Sequence, residues 1–245
     1  MCAHREQRKE ILRENLARVA ARIHAAAIAC GRQPEEITLL PVTKFHPAAD
    51  LMLLQELGIN AVGENREQEA RDKATQVPAM AIHMIGQLQS KKTNAVARWA
   101  AAVHSVESLR LVEGLDRGMD LALERGDRDY LPEKVRHKLG CYIQVSADGD
   151  PRRGGLTVAE LPSVVEAMLA AKHLELLGLM TVPPLDALPA TVFESVFAEV
   201  DKLSAQLGRP LGFSAGMTGD LEIAIAAGST LVRVGTDIMV KRPLA

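Results

Sequence analysis

Aromatic side chains are scarce in this sequence, with one Trp, two Tyr and four Phe among 245 residues. So few rings argue against a platform on which nucleic-acid bases stack. The three cysteines, Cys2, Cys30 and Cys141, are scattered and odd in number. They supply neither a disulfide framework nor a metal-ligand spacing, which fits a reducing cytoplasm. The seven histidines never form an H-x-x-x-H or a comparable pair, so no metal is indicated. Charge of one sign is lacking as well: 29 Lys and Arg face 31 Asp and Glu, for a net charge of -2. No basic tract stands clear of its acidic neighbours, and nucleic acid is not expected as a partner. No apolar run approaches the roughly 20 residues that span a bilayer. The start, Met1 to Glu6, is charged and helix-like and does not read as a signal peptide. The expectation is a soluble, cytoplasmic protein without a membrane partner.

What is present is hydrophobic patterning. At 47% hydrophobic the chain can bury one large core, and its length matches the roughly 250 residues of a (β/α)8 barrel. A helix from about Arg5 to Gly31 carries Leu12, Leu16, Val19 and Ile23 on one stripe. Strands are then predicted at 37–43, 60–63, 80–85, 102–105, 140–146, 174–180, 211–214 and 231–234. Helices are predicted at 47–58, 64–75, 90–100, 107–125, 157–171, 188–207 and 219–227. The charged segment 126–138 reads as the longest connection. Strands separated by helices pair in parallel through crossovers. The count of eight, and the lack of a G-x-G-x-x-G after the first strand, favour a closed barrel over an open doubly wound sheet. The predicted class is α/β, a single (β/α)8 barrel domain over residues 1–245 with an extra N-terminal helix packed outside.

Function in such a barrel gathers at the C-terminal strand ends. The first strand delivers Lys44 there, and a lysine at the mouth of a buried strand must be desolvated unless it reaches solvent or a partner. At the seventh strand Ser214-Ala215-Gly216-Met217-Thr218-Gly219-Asp220 passes into a helix through small residues, an arrangement that presents backbone N–H groups to an anion. Gly235-Thr236 after the eighth strand closes the cup from the other side. A lysine and a phosphate cup at one mouth suggest a phosphorylated aldehyde held as a Schiff base, either pyridoxal phosphate or a sugar phosphate of a lysine aldolase. Arg233 helps to separate them, because a guanidinium beside the phosphate loop could face a pyridine nitrogen; the other reading is an arginine that packs by its stem and pairs with a nearby carboxylate. His83 and His104 read as hydrogen-bonded barrel filler. The pairs Lys91-Lys92 and Arg152-Arg153 follow strand ends and read as solvated surface or guards of the mouth.

These residues resemble the YggS/PROSC family of pyridoxal-phosphate homeostasis proteins. The resemblance runs through Val42-Thr43-Lys44, Gly63-Glu64-Asn65-Arg66-Glu67-Gln68-Glu69 and His83 to Gln89. It continues in His104-Ser105-Val106, Gly178 to Pro183, Phe213 to Thr218 and Val232 to Thr236. It implies a fold-type III barrel like the N-terminal domain of alanine racemase, with pyridoxal phosphate in a Schiff base on Lys44. It further implies that Ser214, Met217, Thr218, Gly235 and Thr236 hold the phosphate, that Arg233 faces the pyridine nitrogen, and that Asn65 lies near the ring. The implied function is vitamin B6 homeostasis without turnover, with pyridoxal-phosphate-dependent apo-enzymes as partners and a monomer or weak dimer as the assembly. The alternative is an amino-acid racemase, which needs a second acid/base across the ring. Tyr130 and Tyr142 are the only tyrosines, and neither lies where that role would place it.

Overall fold

The computed structural model describes residues 2–150 and 154–240. Helix α1 (Cys2–Ala29) precedes β1 (Thr38–Pro41), α2 (Ala48–Glu56), β2 (Ala61–Glu64), α3 (Glu67–Gln76), β3 (Ala81–Met84) and α4 (Thr93–Ala97). The alternation continues with β4 (Ala100–Val106), α5 (Leu109–Glu124), α6 (Glu133–Arg136), β5 (Leu139–Gln144), α7 (Leu161–Ala170) and β6 (Leu174–Met180). Helix α8 (Pro189–Leu207), β7 (Gly212–Ser214), α9 (Leu221–Ala226), β8 (Leu231–Val234) and α10 (Thr236–Met239) complete it. The strands run in parallel in the order β1-β8-β7-β6-β5-β4-β3-β2. The two ends of that order meet, because Val42 bridges Gly63 and the Thr43 N–H donates to the Gly63 carbonyl at 3.0 Å. The sheet is therefore a closed (β/α)8 barrel.

Strands covered on both faces must be apolar throughout, and every residue of β4 and β5 is buried. One large core lies between barrel and helices. A second, small cluster joins Leu40, Tyr142, Met180 and Leu231 from four different strands, so these side chains meet inside the barrel. Helix α1 buries Leu12, Val19, Ile23 and Ala27 and lies outside the barrel against α2, α9 and α10. No helix among the described residues is long and apolar enough to cross a membrane.

Strands β6 and β8 fall on their predicted ranges. Strand β4 begins at Ala100 rather than Ala102, since tertiary burial overrides the helix propensity of its alanines. The 126–138 connection contains the short helix α6. Its anchor is the fully buried Arg128, whose guanidinium donates to the carbonyls of Ala97, Ala100, Val135 and Arg136. Helix α10 was not anticipated.

Candidate functional site

A cavity of about 690 Å³ opens at the C-terminal ends of the strands. Its wall brings together Lys44, Asn65, Met217, Thr218, Arg233, Gly235 and Thr236, seven of the eight predicted site residues.

Lys44 occupies the second position of a tight turn closed by the His46 N–H on the Thr43 carbonyl at 3.1 Å. Phe45, in the third position, has φ 66°, a conformation that costs a bulky residue energy and persists only when its surroundings impose it. Here they do. Glu69 accepts the Phe45 N–H at 2.6 Å and the Lys73 ammonium at 2.7 Å. Lys73 also donates to the Thr43 carbonyl at 2.8 Å and to Glu64 at 2.6 Å, while the Thr43 hydroxyl donates to the same Glu64 oxygen at 2.5 Å. The backbone on both sides of Lys44 is thus fixed by a largely buried ion network. The Lys44 side chain is exposed to the cavity, and among the described residues no hydrogen bond or ion pair engages its ammonium.

Asn65 reaches the wall because Gly86 lacks a side chain; a Cβ there would overlap the Asn65 carbonyl and amide. On the far side run the two small-residue loops. The Met217 N–H is taken by the Asp220 carboxylate at 2.6 Å. Among the described residues no acceptor meets the N–H groups of Thr218, Gly219, Gly235 and Thr236. Around the position of a Cβ on Gly219 there is open space.

Arg233 is 4% exposed, and its two bonds go to neutral groups: the Ser214 hydroxyl at 2.6 Å and the Thr181 carbonyl at 3.0 Å. Burial pushes it down to about 10, partly offset by Asp220 and Tyr142, so it stays cationic at neutral pH. No ion pair joins it to a carboxylate among the described residues. Ser214 does not line the cavity. It is fully buried beneath it, with His104 Nδ1 at 2.9 Å from its hydroxyl and His83 Nδ1 3.0 Å from His104 Nε2. Ser214 accepts from the donor-only guanidinium of Arg233, and the tautomer of each imidazole sets which way the Ser214–His104 and His104–His83 bonds run. Burial lowers His83 to about 4 and holds His104 well below its ordinary value, with His83 and Arg233 adding to the effect on His104. Both are neutral parts of the scaffold, as the sequence indicated. Tyr142 packs on His104 with ring centroids 4.4 Å apart, and burial pushes its hydroxyl up to about 12.

Residues that sequence reasoning did not single out also form the wall: His46, paired with Asp50 at 3.3 Å, together with Ile85 and Val182. Lys92 bonds Glu67 at 2.9 Å and Lys91 is exposed; Arg152-Arg153 lies outside the described residues. Chemically, the cavity offers an unengaged amine, a buried cation with neutral partners and a set of unsatisfied N–H donors. That combination suits a small, anionic carbonyl compound.

The comparisons with known proteins point to the same barrel fold. The family model for the alanine racemase N-terminal domain matches residues 12–243. The pyridoxal phosphate homeostasis protein of Corynebacterium glutamicum is 51% identical over 225 residues, covering 92% of this chain and 99% of that one. Its counterpart in Mycobacterium tuberculosis is 41% identical over 256 residues, covering 97% and 95%. The structure of PipY from Synechococcus elongatus with pyridoxal phosphate bound superposes with a TM-score of 0.76 at 28% identity, covering 93% of this chain and 99% of PipY. The chain belongs to the alanine racemase N-terminal domain family and, within it, to the pyridoxal phosphate homeostasis proteins.

Proposed function

We propose that the protein binds pyridoxal 5'-phosphate in this cavity and serves cytoplasmic vitamin B6 homeostasis as a carrier without turnover. The observation that carries the reading is the shared wall. The Lys44 ammonium, which has no partner among the described residues, and a buried Arg233 bonded to neutral groups face one space with acceptor-free N–H groups. Those groups fit the cofactor's aldehyde, ring and phosphate. When bound, the cofactor supplies an aldehyde that condenses with an amine as a Schiff base, with loss of water, and a ring that withdraws electrons.

Lys44 would present its amine to that aldehyde, and Asn65 would lie beside the ring. Thr218, Gly235 and Thr236 would hold the phosphate through their N–H groups, Met217 borders it with its own N–H on Asp220, and Ser214 supports Arg233 from below. Arg233 would face the ring nitrogen as a hydrogen-bond donor that keeps its proton, because its guanidinium remains charged at neutral pH. The ring is left a weak electron sink, which suits retention over turnover. A racemase would need a second acid/base on the opposite face. Tyr142 lies under the cavity against His104, and Tyr130 is on the α5–α6 connection, so neither tyrosine lines the cavity. Delivery to apo-enzymes by a monomer or weak dimer belongs to the same proposal.

The test is a visible-absorbance titration of wild type and Lys44→Ala with the cofactor. Wild type should turn yellow with a saturable band that Lys44→Ala lacks. A wild type that stays colourless would end the reading.

A further inference from the structure

Helix α1 does more than cover apolar surface, because three of its polar side chains reach the loops of the cavity. Arg8 donates to the Met239 carbonyl at 3.0 Å, and the buried Asn15 donates to the Ile238 carbonyl at 2.8 Å. Arg22 bridges both loops. It donates to the Thr218 carbonyl at 2.9 Å, pairs with Glu222 at 2.7 Å and pairs with Asp237 at 2.6 Å. Thr218 and Gly219 line the cavity from one loop, and Gly235 and Thr236, next to Asp237, line it from the other.

A trans peptide points its C=O and its N–H in opposite directions. With the Thr218 carbonyl drawn outward to Arg22, the N–H of Gly219 faces the other way. On that side Gly219 borders the cavity, and the N–H meets no acceptor among the described residues. We propose that Arg22 is a positioning residue for anion binding: it orients the Thr218–Gly219 peptide with its donor inward and braces the Gly235–Asp237 turn through Asp237. The N-terminal helix thereby sets how long a phosphorylated ligand stays. This rests on the cofactor reading given above.

The experiment compares dissociation of pyridoxal phosphate and of pyridoxal, which has the same ring and aldehyde but no phosphate, from the full-length protein. Arg22→Ala should release pyridoxal phosphate about ten-fold faster, the loss expected for one bond to a charged group, and leave pyridoxal unchanged. Arg13→Ala, whose partner Glu10 lies on the same helix, should match wild type for both. If Arg22→Ala does not fold, Glu222→Gln and Asp237→Asn each remove one leg of the bridge and should give smaller effects confined to the phosphorylated ligand. Equal acceleration of both ligands, or of neither, overturns the proposal. A wild type that takes up neither ligand overturns the cofactor reading instead.

Discussion

The ammonium of Lys73 donates to the main-chain carbonyl of Thr43 at 2.8 Å, one residue before Lys44. Through Glu69 the same ammonium reaches the N–H of Phe45, one residue after it. A lysine 29 positions away in sequence from Lys44 therefore frames the turn that presents it.

Replacing Lys73 by Met should be severe. Lys73 is 4% exposed and Glu64 fully buried, and removing one member of a buried pair leaves the other uncompensated, at a cost of about 3–5 kcal/mol. The carboxyl of Glu64 is already raised by burial, against the lowering effect of Lys73 and Thr43. Urea denaturation should show a large loss in Lys73→Met and partial recovery in Lys73→Met with Glu64→Gln, since the double variant removes the fully buried carboxylate and leaves only the half-buried Glu69 without its ammonium. Additive losses would contradict the network.

Arg233→Ala should keep the Lys44 adduct but shift its absorbance and weaken binding. Ser214→Ala should weaken pyridoxal phosphate and pyridoxal by similar factors, because the hydroxyl acts on Arg233. Selective loss of the phosphorylated ligand in Ser214→Ala would mean that Ser214 contacts the phosphate after all.

Buried His104 and half-buried His83 make stability depend on pH. His83 is held at about 4, below its ordinary value near 6.5, and His104 is shifted the same way. Between those values the unfolded chain binds protons that the folded chain does not, so stability falls as pH drops from about 6.5 toward about 4 and is unaffected by these groups above that window. Urea midpoints across the window should fall in wild type and fall less in His83→Gln. An equal slope in both would show that His83 does not contribute.

Incubation of the loaded protein with alanine or serine enantiomers should give no racemisation. Steady turnover would make the protein an enzyme and would direct attention to His46, the imidazole on the cavity wall.

The barrel was legible because its strands are apolar runs separated by amphipathic helices, and the site because it lies at strand ends. Lys44 and the two glycine-containing loops each follow such a run directly, and Arg233 is the penultimate residue of the last one. Ser214, which the resemblance assigns to the phosphate, is the last residue of β7 and is buried against His104 and Arg233, one step before the loop that lines the cavity. His46 was missed because the turn after Lys44 folds back onto the wall. The supporting contacts were hidden for another reason: Arg22 and Glu222 are 200 residues apart, and only closure of the barrel brings α1 beside α9. The Glu69–Lys73 spacing was visible as an ordinary helical pair, but nothing local tied it to Thr43 or Phe45.

The most direct test of the central claim is borohydride reduction of the protein loaded with pyridoxal phosphate, followed by mapping of the modified peptide by mass spectrometry. A single stable adduct on Lys44, absent in Lys44→Ala, is the result predicted here. An adduct on another lysine, such as Lys91 or Lys92, or no adduct in a protein that still binds the cofactor, would contradict it.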